Sequence, residues 1–278
     1  QATRSARAPV SEIQGEVVSL KFANRGTAQN NLEVLTASVL LHTLKSADDR
    51  EQRMVPEHHR IRTMSLKDAL DAVRQASVAR HDPRLRQMFD AAVERLRMVQ
   101  IAEHAIGVGD MIPDFDLPDA EGRRYRSGEI LADGPLVLVF VRGGWCPYCD
   151  MALKALDEAS SEIAAAGATL VVVTPERQEV MARTAAEKAP HLTLVSDSNE
   201  TYAALCGLTF TMPEDIVEFY TSQGRDLPSR HAGAGWELPV PAAYVVARDG
   251  TVVAAHVDPD WTVRAEPADL IAAVRALP

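Results

Sequence analysis

Cys146 and Cys149, separated by Pro147 and Tyr148, are the side chains of this chain best suited to covalent chemistry. They follow the apolar run Leu136-Val137-Leu138-Val139-Phe140-Val141 through the link Arg142-Gly143-Gly144-Trp145. A strand that feeds a helix through so short a turn puts a C-x-x-C pair on the first helical turn. There the Cα atoms fall within the roughly 4.4–6.8 Å that a disulfide requires. Pro147 suits the first helical residue, whose N–H would have no partner in any case. Cys146 then stands at the helix cap, where free backbone N–H groups and the helix dipole favour a thiolate. A thiol with a pKa of about 8.5 is only about 3% ionised at pH 7, and a drop of about two units makes it mostly thiolate. The pattern predicts a redox dithiol with Cys146 as nucleophile.

Other uses of two cysteines fit less well. A zinc site needs two further ligands, yet the only remaining cysteine is Cys206, and no H-x₃₋₅-H pair accompanies it. A permanent structural bridge would close too small a loop to restrict the unfolded chain. The histidines show no ligand spacing. No metal and no cofactor are therefore expected.

The elements that must position the thiols are readable in outline. The 278 residues are 46% hydrophobic and 24% charged, enough for a full core and one or two domains. A net charge of −10 repels nucleic-acid backbones, and no apolar run approaches the roughly 20 residues of a membrane span. Three cysteines do not make a secreted disulfide framework, so the expectation is a cytoplasmic protein with neither nucleic acid nor membrane as partner. Residues 1–63 contain only short uncapped patterns and are expected to be an extension of unknown role. Residues 64–106 predict a helical hairpin. Ser65 and Asp68 are spaced as a capping box, and Asp82-Pro83 opens a second helix whose stripe is Leu85, Met88, Phe89, Ala92, Leu96 and Val99. Its apolar faces are expected to pack on the following domain or on a second subunit.

From residue 107 to 278, strands alternate with helices, the pattern of an α/β sheet. Strands are predicted at 115–117, 136–141, 170–173 and 192–195, with a hairpin of 243–247 and 251–256 around Arg248-Asp249-Gly250. Helices are predicted from Cys146 to about Ala165, after Thr174-Pro175-Glu176, at 199–206 and at 268–276. The segment between Gly207 and Pro241 reads as a loop.

Several stretches resemble the alkyl hydroperoxide reductase/thiol-specific antioxidant family, the peroxiredoxins. They are Val108-Gly109-Asp110-Met111-Ile112-Pro113-Asp114-Phe115-Asp116-Leu117, Arg142-Gly143-Gly144-Trp145-Cys146-Pro147-Tyr148-Cys149, Thr174-Pro175-Glu176, Leu238-Pro239-Val240-Pro241-Ala242-Ala243-Tyr244 and Arg264-Ala265-Glu266-Pro267. The resemblance implies an α/β thioredoxin-like fold, here with an N-terminal helical hairpin. It implies that Cys146 is the peroxidatic cysteine, attacking a hydroperoxide and becoming a sulfenic acid, with Cys149 as the resolving thiol. Hydrogen peroxide or organic hydroperoxides would be the substrates, thioredoxin or a similar dithiol the reductant, and a homodimer the family's assembly.

The chain departs from the family motif P-x-x-x-T/S-x-x-C at Val139 and Gly143. The family's active-site arginine falls on Pro241, where thioredoxin relatives place a cis-proline facing the C-x-x-C. Arg142, four residues before Cys146, is the candidate replacement cation. These departures hold open a thioredoxin/glutaredoxin-like thiol–disulfide oxidoreductase, whose C-P-Y-C motif this chain shares, and a redox-sensing binding protein. Trp145 and Trp236 are candidate pocket walls, and Thr174 and Glu176 share the sheet edge expected to face Cys146. Cys206 reads either as a small buried hydrophobe or as a distant resolving thiol.

Overall fold

The structure is a computed structural model that describes residues 64–80, 82–231 and 235–278; the expected extension 1–63 lies outside the described residues. The frame is a five-stranded sheet of order β5-β4-β3-β8-β9. Its centre is β3 (Leu136–Phe140), five apolar residues all buried, as expected of a strand covered on both faces. β3 runs parallel to β4 (Thr169–Thr174), and β4 parallel to β5 (Thr193–Ser196). On its other side β3 pairs antiparallel with β8 (Ala242–Val246), which forms the predicted hairpin with β9 (Val252–Val257). This is the thioredoxin-like α/β arrangement.

Helices cover both faces. α5 (Pro147–Ala165) follows β3, α6 (Gln178–Lys188) follows β4, and α9 (Pro267–Arg275) closes the chain against α5. Around them stand α3 (Ile101–His104), α7 (Thr201–Leu205), and the short pair β1 (Asp116–Pro118) and β2 (Arg124–Arg126), which leads into α4 (Ser127–Asp133). α6 starts later than Thr174-Pro175-Glu176 suggested. Thr174 ends β4, and its Oγ1 accepts the Glu176 N–H at 3.3 Å, so it caps a turn and not a helix.

The stretch read as a loop contains β6 (Thr209–Thr211), α8 (Glu214–Ser222) and β7 (Glu237–Pro239), with β6 and β7 paired antiparallel. The signals for α8 were Pro213 followed by two acids in the first turn and apolar Ile216, Val217, Phe219 and Tyr220 at helical spacing.

α1 (Leu66–Arg80) and α2 (Pro83–Met98) belong to the same compact unit and pack on the domain, the first of the two arrangements anticipated. The Asp68 N–H donates to Ser65 Oγ at 3.1 Å, and the Arg84 N–H to the Asp82 carboxylate at 2.7 Å, as capping residues do. α1 receives a second cap from far along the chain. Glu266 accepts the N–H groups of Leu66 and Lys67 at 3.2 and 2.7 Å. Leu66 and Leu70 then bury against Ala152, beside Tyr148, Met151 and Ala155 of α5. α2 is anchored elsewhere. Phe89 meets Phe219 and Tyr220 of α8 at 6.1 Å and Trp261 at 6.3 Å between ring centroids, contacts worth about 0.5–1.5 kcal/mol each beyond their burial. α1 thus docks on α5, and α2 on α8 and Trp261.

Candidate active site

Cys146 is the N-cap of α5, with extended backbone, and Pro147 occupies the first helical position. The turn before it is tightly held. Trp145 Nε1 donates to the Arg142 carbonyl at 2.8 Å, and the Lys188 ammonium donates to the Gly144 carbonyl at 2.7 Å. Gly143 takes φ +115°, and a Cβ there would lie 3.0 Å from both the Glu176 carboxyl carbon and the Trp145 ring. The missing hydroxyl at 143 thus has a physical reason, since the turn leaves no room for a side chain. Behind it Glu176 is buried, accepting from Thr184 Oγ1 at 2.8 Å and paired with Arg230 at 3.0 Å.

Both thiols are reduced and buried. The hydrogen bond from Cys149 holds Cys146 well below the ordinary thiol range, with the positive charges of Arg142 and Arg264 acting the same way against the opposing effect of burial. Cys149 goes the other way. Burial first, then its bond to Cys146, push it well above that range. The two shifts run in opposite directions, so Cys146 is the more readily ionised of the two thiols.

Arg142 is 2% exposed, so its side chain does not face solvent. Its guanidinium lies between the rings of Trp145 and Trp261, 5.0 and 4.9 Å from their centroids, and its Nε has no hydrogen-bond partner among the described residues. Such stacking replaces the hydration that a buried cation loses. Arg264 approaches from the opposite end of the chain and donates to Cys149 Sγ at 3.3 Å; the Arg142 N–H reaches the same sulfur at 3.4 Å.

A cavity of about 930 Å³ opens beside Cys146, lined by Arg142, Trp145, Tyr148, Tyr220 and Trp261 together with the inner faces of α1 and α2. The sequence candidates Cys146, Trp145 and Arg142 meet there. Thr174 does not line it, and neither does Pro241. All peptide bonds of the described residues are trans, so Pro241 is not the expected cis-proline. Buried between β7 and β8, it borders a separate crevice with Ala152, His256 and Arg264, because β8 continues straight from it into the sheet. Trp236 stands one layer back, stacked on Tyr220 at 6.4 Å. Cys206 is fully buried among core residues that include neither Cys146 nor Cys149, and burial raises its thiol to about 12, which favours the reading as a small hydrophobe.

Sequence reasoning missed Tyr220, Trp261 and Arg264. Only the last carried a signal, standing in a stretch already noted for its resemblance.

Residues 108–255 match the AhpC/TSA family, just over half of the 278. The chain belongs to the AhpC/TSA family. This family comprises thiol peroxidases and thiol–disulfide oxidoreductases, and its members generally use peroxides and thioredoxin-like reductants and often dimerise. A Mycobacterium tuberculosis protein named as a peroxiredoxin is 31% identical over 100 residues, 36% of this chain and 65% of its own length. This chain thus spans slightly less than two thirds of the curated relatives it matches first. The methylamine utilization protein MauD of Paracoccus denitrificans is 40% identical over 50 residues, 18% of this chain and 25% of MauD. Among solved structures, the peroxidoxin BcpB of M. tuberculosis aligns with a TM-score of 0.48 at 23% identity, covering 62% of this chain and 99% of BcpB. Within the AhpC/TSA match lie Arg142, Trp145 and both thiols; α1, α2, Trp261 and Arg264 lie outside it. Among the described residues no helix is long and apolar enough to cross a membrane.

Proposed function

We propose that this protein is a thiol peroxidase in which Cys146 reduces hydrogen peroxide or an organic hydroperoxide and Cys149 resolves the product. The observation that carries the reading is Arg142, a buried cation that lines the nucleophile's cavity and whose Nε–H has no hydrogen-bond partner among the described residues. A cationic donor is what the chain lost when proline replaced the family arginine at 241, and Arg142 supplies one from the turn itself.

The chemistry balances as follows. The Cys146 thiolate attacks the outer peroxide oxygen; an S–O bond forms as the O–O bond breaks, and the proton carried by the attacked oxygen passes to the departing oxygen, which leaves as water or an alcohol. The resulting sulfenate takes a proton. The Cys149 thiol then displaces that oxygen as water, leaving a Cys146–Cys149 disulfide. Two electrons and two protons from thioredoxin or a similar dithiol restore the pair by exchange. Burial of Cys146 at the base of an aromatic cavity favours a small or slender substrate over a protein disulfide. Substrate contacts are assigned to Arg142 and Trp145, and none to Thr174 or Pro241.

The test is NADPH consumption by thioredoxin reductase and thioredoxin with this protein and hydrogen peroxide. Turnover that disappears in Cys146→Ser supports the proposal. Turnover with a small disulfide and none with any peroxide would overturn it in favour of thiol–disulfide exchange.

A further inference from the structure

Cys149 is fully buried, yet two donors converge on its sulfur. Arg264 Nη2 reaches it at 3.3 Å from the loop before α9, and the Arg142 backbone N–H reaches it at 3.4 Å from the end of β3. The sulfur of a neutral thiol is a weak acceptor, whereas a thiolate carries the charge that a guanidinium matches. Arg264 is also held in this orientation. Its Nη1 donates to the carbonyls of Trp261 and Val263 at 2.5 and 2.6 Å, and it forms no ion pair among the described residues. A fixed cation without an anion thus rests on a sulfur that is uncharged in the reduced pair.

The forces on Cys149 explain when that cation is used. Burial, then the hydrogen bond to Cys146 and the negative charge of Cys146, hold the Cys149 proton in place, while the Arg264 charge and the Arg142 N–H oppose them. Oxidation of Cys146 consumes its thiolate and removes that negative charge from beside Cys149. The two donors remain. His256 lines the same crevice as Arg264, and burial keeps its imidazole below its ordinary range, so it adds no competing charge at neutral pH.

We infer that Arg264 is a catalytic residue of the resolving step, holding Cys149 as a thiolate once Cys146 has been oxidised. The inference rests on the peroxidase reading for the sulfenic acid that is resolved. Cys149 gives up its proton, its thiolate attacks the Cys146 sulfur, and the S–S bond forms as the S–O bond breaks. The displaced hydroxide combines with the released proton, so each sulfenic acid yields one disulfide and one water. Donors aimed in advance at the place where charge develops need no reorganisation when it does. The two thiols thus ionise in turn. Arg264 lies outside residues 108–255, the span matched by the family.

Two measurements test this separately from the peroxidase reading. In the first, reduced protein is mixed with excess dipyridyl disulfide at mildly alkaline pH, and thiopyridone release is followed. Attack by Cys146 releases one equivalent at a rate set by the reagent concentration; attack by Cys149 on the mixed disulfide releases a second at a rate independent of it. Arg264→Gln should slow the second phase roughly tenfold, the effect of one hydrogen bond to a charged group. The amplitude of the first phase, read in the same trace, reports the folded fraction. A second phase as fast as in the unmodified protein would overturn the inference even if hydrogen peroxide is reduced well. A slowed one upholds it even if no peroxide is turned over. The second measurement leaves Arg264 in place. In Cys146→Ser the titration of Cys149, read from the NMR shift of its Cβ, should have its midpoint at lower pH than in the unmodified dithiol, and a midpoint that does not move contradicts the inference.

Discussion

Arg264 Nη2 donates to Cys149 Sγ at 3.3 Å, a contact that joins residues 115 apart in sequence. Its guanidinium is fixed from behind, with Nη1 on the carbonyls of Trp261 and Val263 at 2.5 and 2.6 Å. The loop that carries it also carries Trp261, which stacks on Arg142, and Glu266, which caps α1. One short segment thus supplies a charge to the thiols, a wall to the cavity and an anchor to the helix that flanks it.

Replacing Arg264 by Gln removes one of the positive charges that favour the Cys146 thiolate. The pH profile of Cys146 alkylation by iodoacetamide should shift upward, because the thiolate fraction follows the titration of that sulfur. At pH values below the midpoint of the profile the alkylation rate should fall. A profile identical to that of the unmodified protein would remove Arg264 from the account.

Gly143→Ser is the substitution that restores the family's hydroxyl, and it should do harm. At φ +115°, with Glu176 and Trp145 3.0 Å from the new Cβ, the expected cost is about 1–3 kcal/mol in urea unfolding. Peroxidase activity should fall. A gain in activity at unchanged stability would show that the turn tolerates the family geometry.

Glu266 holds two N–H groups of α1. Glu266→Ala should cost about 1 kcal/mol, the usual loss on removing a helix cap. Hydrogen exchange should rise across residues 66–73 before any other helix. Uniform protection in the variant would contradict the capping role.

Glu200 and His231 are buried together, 3.8 Å apart, and neither side chain has a hydrogen bond among the described residues. Burial, then the charges of Glu237 and Asp197, raises Glu200 to about 8; burial lowers His231 to about 4. The folded protein therefore keeps a protonated carboxyl beside a neutral imidazole. Between pH 4.5 and 8 the unfolded chain holds fewer protons at Glu200 than the folded one, so stability falls as pH rises. Between 4 and 6.5 the sign at His231 is opposite, and the two slopes offset each other. Urea unfolding should lose about 1 kcal/mol between pH 6.5 and 8, and Glu200→Gln should abolish that loss. A loss that persists in Glu200→Gln would assign it to other groups.

Local patterns made the frame legible. The run Leu136–Phe140 could only be a covered strand, and Pro147 after Cys146 marked the start of α5. Arg142, Trp145 and the two thiols were close in sequence and stayed together in space. The remainder of the site arrives by tertiary packing. Tyr220 comes from a helix of nine residues hidden in a segment read as loop, and Trp261 and Arg264 from an irregular stretch with no period to detect. Pro241 misled for a related reason, since counting back from β8 gives a position in the chain but not which face of α5 it meets.

The most direct test of the central claim is mass spectrometry of the fully reduced protein after one equivalent of hydrogen peroxide. The account predicts loss of two hydrogens with a Cys146–Cys149 bridge, and in Cys149→Ser a gain of one oxygen on Cys146 that dimedone traps. A protein that remains reduced under peroxide, yet forms the same bridge when given a small disulfide, would contradict it.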